Sequence, residues 1–550
     1  MSFISKTTRR LKRLRLQPSQ VRSITITCRG QPIDREDLFR YTNGHFLIQE
    51  EQQCESRYVK FDLEALCDIA ASTGSSKSPV RVIEKMEGGF SKVLFLQKED
   101  GTELIAKIPC PNAGPCTYVT ASEAAVMEYV RTHTSVPLPR VYRWDSDPSN
   151  PVGAEYILME KARGVQLFKV WDELEDASRF NLMIELAKIE RQLTSIKFPA
   201  SGSLYFRKSI GDEGHSVELP RELDSGSLYC VGLSCDRSWW PTPSRKSIGH
   251  TGPWASLTEL GVAITERESQ RIIEQPGAKY DGHFSGTREE QLATLKAARQ
   301  LMEILHSYSP LARFSQPTLY HTDLHMGNIY VDQGDHTKIS SIIDWQHTQI
   351  APLFLQARWP VFLEPKEDYP VGPVKVELPK HFDSMDEEDK ALAMYEWREA
   401  CATKAYEARM FIDNGDAYKA MVDLPRVFKE LFVRSGEVWE EGCTALRECL
   451  IEFSRSWKDL QLPGEPVPGF TETEILDHEK KFKEYQQWHA IRSFARQYLS
   501  TDFEGWISPD LDFDEKIQQN RELFELYASE MAEGRSREEI RRMWPFSDAL

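Results

Sequence analysis

Two short segments near the middle of the chain constrain its structure most, because they hold three oxygen-bearing side chains in a fixed order. Residues 321–329 are His-Thr-Asp-Leu-His-Met-Gly-Asn-Ile, and residues 342–345 are Ile-Ile-Asp-Trp. Asp323 lies on a predicted loop, Asn328 follows five positions later, and Asp344 stands at the end of a predicted buried strand. We therefore expect a fold in which these three side chains face one cleft.

The order of these side chains matches the needs of phosphoryl transfer. That reaction requires a carboxylate that orients a hydroxyl and accepts its proton, and oxygen ligands that hold Mg²⁺ against nucleotide phosphates. Asp323 is the predicted base, and Asn328 and Asp344 are the predicted metal ligands. The alternative is purely structural: a loop-capping Asp and a strand-end Asp that make local hydrogen bonds. We expect His321 to support the loop through backbone carbonyls and not to react.

A glycine pair upstream predicts a phosphate-binding turn. Gly88 and Gly89 stand in the segment Glu-Gly-Gly-Phe-Ser-Lys-Val at residues 87–93, between two predicted strands. Paired glycines allow backbone N–H groups to approach phosphate oxygens, and the Ser91 hydroxyl can add a further donor. Gly-Gly turns are common, so this interpretation depends on the position of the turn just ahead of the strand that carries Lys107.

Lys107 lies in an otherwise apolar strand, where an unpaired ammonium group is costly. Glu123 can supply the anion, because it shares one helical stripe with Val126, Met127 and Val130. We predict a Lys107–Glu123 ion pair in which Lys107 also reaches the nucleotide phosphates. The alternative is a salt bridge with a structural role alone.

Further strand and helix patterns complete the first part of the chain. Arg81–Ile83, Lys92–Leu96 and Glu103–Ile108 are predicted strands, and an Asp-Gly turn between the last two predicts a hairpin. Ala121–Thr132 is a predicted helix. The strand Glu155–Glu160 would lead to a hinge whose backbone contacts adenine, near the predicted nucleotide-binding residues Met159 and Glu160. Met159 could equally be a core residue.

The second part of the chain is predicted to be mainly helical. Residues 200–286 are rich in Gly, Ser, Pro and Trp and show little periodicity, so we expect an irregular insertion. A capping box from Thr287 to Glu290 predicts a helix start, and a second box from Ser384 to Glu387 predicts another.

Charge is distributed unevenly along the 550 residues, whose formal net charge is −17. Residues 1–33 contain eight Lys and Arg and no Asp or Glu, so the remainder is more acidic still and a poor partner for nucleic acid. The amphipathic, Arg- and Ser-containing head predicts a mitochondrial transit segment. A basic tail without fixed structure and a nuclear-type cluster are the alternatives. No stretch approaches the roughly 18 apolar residues of a membrane span.

Taken together, these segments resemble the aminoglycoside phosphotransferase (APH) branch of the protein-kinase-like superfamily, and within it the fungal group called altered inheritance of mitochondria protein nine. The resemblance covers about residues 60–510. The stretches that carry it are 87–93, 108–115, 120–123, 152–160, 321–329, 342–346 and 351–360. It implies ATP and Mg²⁺ as cofactors, a mitochondrial address, and the same site residues.

The resemblance also implies the fold class: an α+β, bilobal protein-kinase-like fold with a small β-rich N-lobe, a larger helical C-lobe, an irregular insertion and a helical C-terminal extension. The corresponding boundaries are a basic transit segment at 1–35, an N-lobe at 60–165, a C-lobe at 166–380 with its insertion at 200–286, and a helical part at 381–550.

Departures from ordinary protein kinases favour a small-molecule acceptor. Thr322 stands where an Arg would receive an activation-loop phosphate, Trp345-Gln346 replaces Phe-Gly, and no Ala-Pro-Glu follows. We expect an ATP- and Mg²⁺-dependent phosphotransferase that acts on a small-molecule hydroxyl, in mitochondria or otherwise in the cytoplasm. The alternative is a catalytically silent nucleotide-binding or scaffold protein in mitochondria. An acyl- or glycosyl-transfer enzyme is disfavoured because it would leave Lys107, the Gly-Gly turn and Asn328 without a role.

Overall fold

The computed structural model describes most of the chain. The described residues are 24–74, 76–210, 216–240, 249–274, 285–306, 308–530 and 535–550. The predicted amphipathic head, at residues 1–23, lies outside them, as do three parts of the predicted insertion.

The strands, in chain order, are β1 Thr25–Cys28, β2 Gln31–Pro32, β3 His45–Phe46, β4 Val80–Glu87, β5 Ser91–Lys98, β6 Glu103–Pro109, β7 Val141–Asp145, β8 Tyr156–Glu160, β9 Val165–Gln166, β10 Ser203–Phe206, β11 Val217–Glu218, β12 Tyr229–Gly232, β13 Pro317–Leu319, β14 Ile329–Val331, β15 Ile339–Ile342, β16 Ile350–Pro352 and β17 Trp506–Ile507.

The helices are α1 Glu50–Ser56, α2 Leu63–Ala71, α3 Tyr118–His133, α4 Asp176–Ser195, α5 Arg207–Ile210, α6 Leu257–Glu274, α7 Arg288–Leu305, α8 Ser309–Ala312, α9 Leu353–Gln356, α10 Glu387–Asp413, α11 Gly415–Val422, α12 Arg426–Ser435, α13 Val438–Glu441, α14 Thr444–Ser456, α15 Glu472–Leu499, α16 Phe513–Glu530 and α17 Arg537–Met543. None of the described helices is long and apolar enough to cross a membrane.

A seven-stranded sheet with the order β2-β1-β4-β5-β6-β8-β7 forms the first part of the fold. Its central strands bury Leu94, Leu96 and Ala106, as the apolar alternation predicts. The Asp-Gly hairpin is confirmed, since Lys98 N–H donates to the Thr102 carbonyl across the turn. Strands β1 and β2 also belong to this sheet, although they lie within the segment predicted as a basic leader.

Helices form most of the second part, and α4, α7, α10, α12 and α14 contribute to one large apolar core. A smaller core lies between the first sheet and α2. Together with the mixed sheet these helices give the α+β, kinase-like architecture expected from the sequence. A third cluster joins distant parts of the chain, because β3 pairs with β17, and Leu47 and Ile507 pack with residues of α16 and α17.

The irregular-insertion prediction for 200–286 is wrong for two parts of that segment. Strands β10, β11 and β12 form a small antiparallel sheet, and residues 257–274 form the long helix α6. The periodicity of α6 was hidden because two charged residues lie on its buried face. Arg267 and Glu268 are both buried and form an ion pair at 3.0 Å, so this face does not look apolar in the sequence.

Of the two predicted capping boxes, the one at Thr287 is confirmed. The one at Ser384 is wrong, because α10 begins at Glu387 with Asp386 as its N-cap. The Ser384 hydroxyl instead donates to the His381 carbonyl at 2.8 Å within a preceding 3₁₀ turn. Asp386, which is nearer to the start of α10, therefore caps the helix in place of Ser384.

A buried carboxyl group makes the stability of the helical core depend on pH. Glu190 on α4 is fully buried and accepts a hydrogen bond from Tyr406 OH on α10, and the Tyr320 phenol lies nearby. Burial raises the pKa of Glu190 to about 7, although the two phenols act in the opposite direction. The folded protein therefore holds a proton here over a pH range in which the unfolded chain has lost it.

The free energy of unfolding should therefore fall as pH rises from about 4.5 to 7. The contribution is about 3 kcal/mol, because each pKa unit corresponds to about 1.4 kcal/mol. Glu190→Gln should remove this part of the pH dependence in denaturant titrations, whereas exposed Glu222→Gln should leave it in place. Parallel pH profiles for wild type and Glu190→Gln would contradict the assignment.

Candidate active site

The hairpin of β14 and β15 brings Asn328 and Asp344 together. Asn328 immediately precedes β14 and Asp344 lies two residues beyond β15. Ile329 faces Ile342 in the antiparallel register, and Ile343 N–H donates to the Asn328 carbonyl at 3.0 Å. Residues that are 16 positions apart in the sequence thus meet at one end of the hairpin.

Asp323 lies on the loop between β13 and β14 and is held by Asn328. The Asn328 amide nitrogen donates to the Asp323 carbonyl at 3.0 Å and approaches its carboxylate at 3.4 Å. Because the amide nitrogen serves Asp323, the amide oxygen is the atom that can face a cation. Asn328 is buried, whereas the Asp323 side chain is 63% exposed and accessible to an incoming substrate.

Lys107 on β6 forms the predicted ion pair with Glu123 on α3, at 2.7 Å. It also contacts Asp344 at 2.7 Å, which the sequence did not predict. Burial alone would lower the pKa of Lys107, but Asp344 and Glu123 raise it above its usual value. Burial likewise disfavours ionisation of Asp344, yet Lys107 lowers the pKa of that carboxyl. For Glu123 burial dominates, and its pKa is raised.

The backbone at Asp344 is strained, and the side chains of Trp345 and His321 support it. Its φ of +62° lies in the left-handed region, which costs a non-glycine residue about 1–3 kcal/mol. The neighbouring Trp345 is fully buried and donates to the Ile342 carbonyl at 3.0 Å. His321 packs edge-on against Trp345, and its Nε2 lies 3.0 Å from the Ile343 carbonyl. Burial lowers the pKa of His321, which favours the neutral ring as a hydrogen-bond donor to the loop.

A cavity of about 600 Å³ opens between the first sheet and this hairpin. Its apolar wall includes Val93, Met127 and Ile343, a surface suited to a flat ring. The predicted site residues that line it are Gly88, Ser91, Lys107, Glu123, Met159, Glu160, Asn328 and Asp344. Gly89 and Asp323 do not line the cavity, and Asp323 borders the site through its contacts with the lining residues Asn328 and His325.

The glycine turn has free space beside its two glycine Cα atoms and is anchored through the Gly89 carbonyl. No atom lies within 4 Å of where a Cβ would stand on Gly88 or Gly89. The Gly89 carbonyl accepts hydrogen bonds from Arg57 Nε at 3.0 Å and from the Asn112 amide at 3.1 Å. The Gly88 N–H also donates to the Ser91 carbonyl at 3.0 Å, so the turn is held by one N–H group and by the Gly89 carbonyl.

Arg57 is a residue that the sequence analysis missed. It is fully buried, and its guanidinium forms an ion pair with Glu504 near the C-terminal end of the chain. The same C-terminal segment donates from Trp506 Nε1 to the Asn43 carbonyl at 2.7 Å, and the Asn43 amide donates to the Glu87 carbonyl at 2.8 Å. Both ends of the chain therefore support the glycine turn.

The segment after β8 connects the first sheet to the hairpin. Met159 is buried in the cavity wall, and Glu160 N–H donates to the Arg140 carbonyl at 2.9 Å. Gly164 has φ +93°, and a Cβ there would collide with the Val331 carbonyl, so only glycine fits. The chain then enters β9, which pairs with β14.

The oxygen donors at this site fit Mg²⁺. No cluster of three or more His, Cys, Asp or Glu side chains suited to a metal occurs among the residues that the structure describes. Asn328 and Asp344 supply an amide and a carboxylate, which match the few oxygen ligands that Mg²⁺ takes from a protein when nucleotide phosphates supply others. Such a site would be completed by a bound nucleotide.

The site combines a buried Lys–Glu ion pair, formed between the first sheet and α3, with a loop and a hairpin that carry Asp, Asn and Asp. This combination defines the kinase-like phosphotransferase class. Residues 82–355 match the model of the phosphotransferase enzyme family, APH. A subtelomeric hrmA-associated cluster protein of Aspergillus fumigatus is 30% identical over 84% of this chain and 96% of its own length. The chain belongs to the APH phosphotransferase family.

Two further similarities complete the comparison. The altered inheritance of mitochondria protein 9, mitochondrial, of Saccharomyces cerevisiae is 23% identical over 88% of each chain. Among solved structures, an aminoglycoside phosphotransferase in complex with GDP and kanamycin is 13% identical, with a TM-score of 0.34, over 76% of this chain and 98% of the other.

Replacing Arg57 should affect both stability and the glycine turn. Arg57→Met removes the hydrogen bond to Gly89 and leaves Glu504 without its buried partner, so unfolding free energy should fall by about 2–4 kcal/mol. Nucleotide affinity should fall as well, because the turn loses its anchor. Denaturant unfolding and calorimetric titration of an ATP analogue measure the two effects.

Arg35→Met is the matched control, because Arg35 forms an exposed ion pair with Glu64 in the same part of the chain. We expect a change of at most about 1 kcal/mol and unchanged nucleotide affinity. An Arg57→Met protein that binds nucleotide as tightly as wild type would show that the turn does not depend on this contact.

Proposed function

We propose that this protein transfers the γ-phosphoryl group of ATP to a hydroxyl group of a small molecule, with Mg²⁺ as cofactor. The observation that carries the proposal is the position of Lys107 Nζ, 2.7 Å from both Glu123 and Asp344, in a cavity next to Asp323. Membership of a phosphotransferase family supports the reaction type. The acceptor is not implied by that membership.

Each residue has a stated role in this proposal. Lys107, oriented by Glu123, contacts the phosphates, and the backbone of Gly88 and Gly89 covers them with the help of Ser91. The cavity wall that includes Met159 and Glu160 holds the adenine. Asn328 and Asp344 would hold Mg²⁺, which neutralises charge on the phosphates when it is bound.

Asp323 is the proposed catalytic base. Its carboxylate is exposed, and the Asn328 amide fixes the loop beside the phosphate-binding groups. In this position it can accept a hydrogen bond from the acceptor hydroxyl, orient the oxygen towards the γ-phosphorus and take up its proton. The glycine turn and the hairpin would exclude bulk water from the opposite side.

A catalytically silent scaffold is the competing function. Its support is the large helical part from residue 387 onwards, which contributes none of the proposed catalytic side chains. Turnover of ATP by the purified protein, in the presence of a mixed metabolite extract as acceptor source, separates the two functions.

We also propose a mitochondrial location. The yeast relative is named as mitochondrial, and the basic head has the composition of a transit segment. Because β1 begins at Thr25 and belongs to the sheet, we place the targeting information within residues 1–23. We further propose two lobes that meet near residue 165, with residues 24–59 as part of the first lobe.

Asp323→Asn should reduce phosphoryl transfer by about 10²- to 10⁴-fold, the usual contribution of a general base. Nucleotide binding should stay close to that of wild type, because Asp323 does not line the cavity. ADP formation and calorimetric binding of an ATP analogue measure the two quantities. The exposed Asp510→Asn is the control, and wild-type turnover by Asp323→Asn would exclude Asp323 as the base.

Asp344→Asn should weaken nucleotide binding in the presence of Mg²⁺ by at least about tenfold, because a charged ligand is lost. Binding measured in EDTA should change much less. Calorimetry with and without Mg²⁺ distinguishes these effects, and equal affinity of variant and wild type in Mg²⁺ would contradict the metal role.

A further inference from the structure

Two cationic side chains lie together beside the catalytic loop without a carboxylate partner. Arg358 Nε donates to the Gln356 carbonyl at 3.0 Å, and Lys429 Nζ donates to the adjacent Ala357 carbonyl at 3.1 Å. Neither side chain forms an ion pair with any of the described carboxylates. In a chain with a net charge of −17, two neighbouring cations without an acidic partner require an explanation.

The segment that carries Arg358 is bonded to the catalytic loop on both sides of Asp323. Tyr320 OH donates to the Arg358 carbonyl at 3.1 Å, and Val361 N–H donates to the Leu324 carbonyl at 3.2 Å. The Asp323 carboxylate is close enough to favour the charged form of Arg358. The backbone of Arg358 is therefore held next to the loop that carries the proposed base.

The charge of Arg358 disfavours the charged form of Lys429 in the absence of an anion. Burial lowers the pKa of Lys429 to about 8, and the charge of Arg358 acts in the same direction. Burial also lowers the pKa of Arg358, although its side chain still reaches solvent. A bound anion would relieve both effects, and the planar guanidinium fork suits the two oxygens of a carboxylate or phosphate.

These cations lie outside the cavity and beside the loop that carries Asp323. Neither Arg358 nor Lys429 lines the 600 Å³ cavity that contains Lys107 and Asp344, and Asp323 is also outside its wall. A group held at Arg358 would therefore lie near the Asp323 loop and not in the space that we assign to the nucleotide.

We propose that Arg358 and Lys429 bind an anionic group, carboxylate or phosphate, on the acceptor. This inference rests on the proposed function, since it assigns the class of molecule that Asp323 activates: a hydroxyl compound that carries a negative charge. The same two charges disfavour polycationic acceptors.

Binding tests the site without knowledge of the natural acceptor. Inorganic phosphate is titrated calorimetrically into the full-length protein, first saturated with Mg²⁺ and a non-hydrolysable ATP analogue so that the nucleotide phosphate positions are filled. We expect phosphate binding by wild type and a loss of at least about tenfold in affinity in the double variant Arg358→Gln, Lys429→Met. Arg313→Gln is the control, because Arg313 is an exposed cation that pairs with Asp416.

Turnover tests the acceptor class. ADP formation is measured with glycerol 3-phosphate, D-glycerate, glycerol and kanamycin, which present a phosphate, a carboxylate, no charge and several positive charges. We expect glycerol 3-phosphate or D-glycerate to stimulate ADP formation, and we expect no stimulation by glycerol or kanamycin. Arg358→Gln should raise KM for that compound and leave KM for ATP unchanged. The first two compounds distinguish phosphate from carboxylate.

Absence of phosphate binding by wild type, or equal binding by wild type and the double variant, would overturn the inference. Efficient phosphorylation of glycerol or kanamycin would also overturn it, as would an effect of Arg358→Gln on KM for ATP alone. If no compound of the four is phosphorylated, the phosphate titration decides. Failure of the ATP analogue to bind would instead reject the proposed function, and titration of the nucleotide-free protein would still test the anion site.

Discussion

The ammonium group of Lys107 connects the three elements on which the site depends. It comes from β6 of the first sheet, contacts Glu123 on α3, and contacts Asp344 at the end of the β14–β15 hairpin. A buried cation of this kind requires anions close by, so the sheet, the helix and the hairpin have to meet at one position. The 600 Å³ cavity is the space that this meeting leaves open, and we propose that it holds the nucleotide.

Support for this arrangement comes from parts of the chain far from the site. Arg57 holds the carbonyl of the glycine turn and is itself held by Glu504, 447 residues away in the sequence. From the other side, His321 and Trp345 support the strained backbone at Asp344. The N- and C-terminal segments therefore contribute to the geometry of the glycine turn and not only to the stability of the fold.

Charges are arranged differently in the cavity and beside the Asp323 loop. In the cavity, the single positive charge of Lys107 faces two carboxylates, Glu123 and Asp344, so a metal ion bound with a nucleotide would add positive charge there. Beside the loop, Arg358 and Lys429 donate their hydrogen bonds to backbone carbonyls. This difference is the physical basis for assigning an anionic acceptor to the two cations.

The sequence by itself determined the features that depend on local chemistry or on one strong energetic requirement. Residues close together in the sequence were enough to predict the order of Asp323, Asn328 and Asp344, the Asp-Gly hairpin and the Thr287 cap. The energetic cost of burying Lys107 required a nearby acid such as Glu123. Only the tertiary structure decided the contact between Lys107 and Asp344, the contact between Arg57 and Glu504, the position of Asp323 outside the cavity wall, and the helix α6 with its buried ion pair. Residue spacing specifies which face a side chain occupies within one element, but the pairing of faces from distant elements depends on how the whole chain packs.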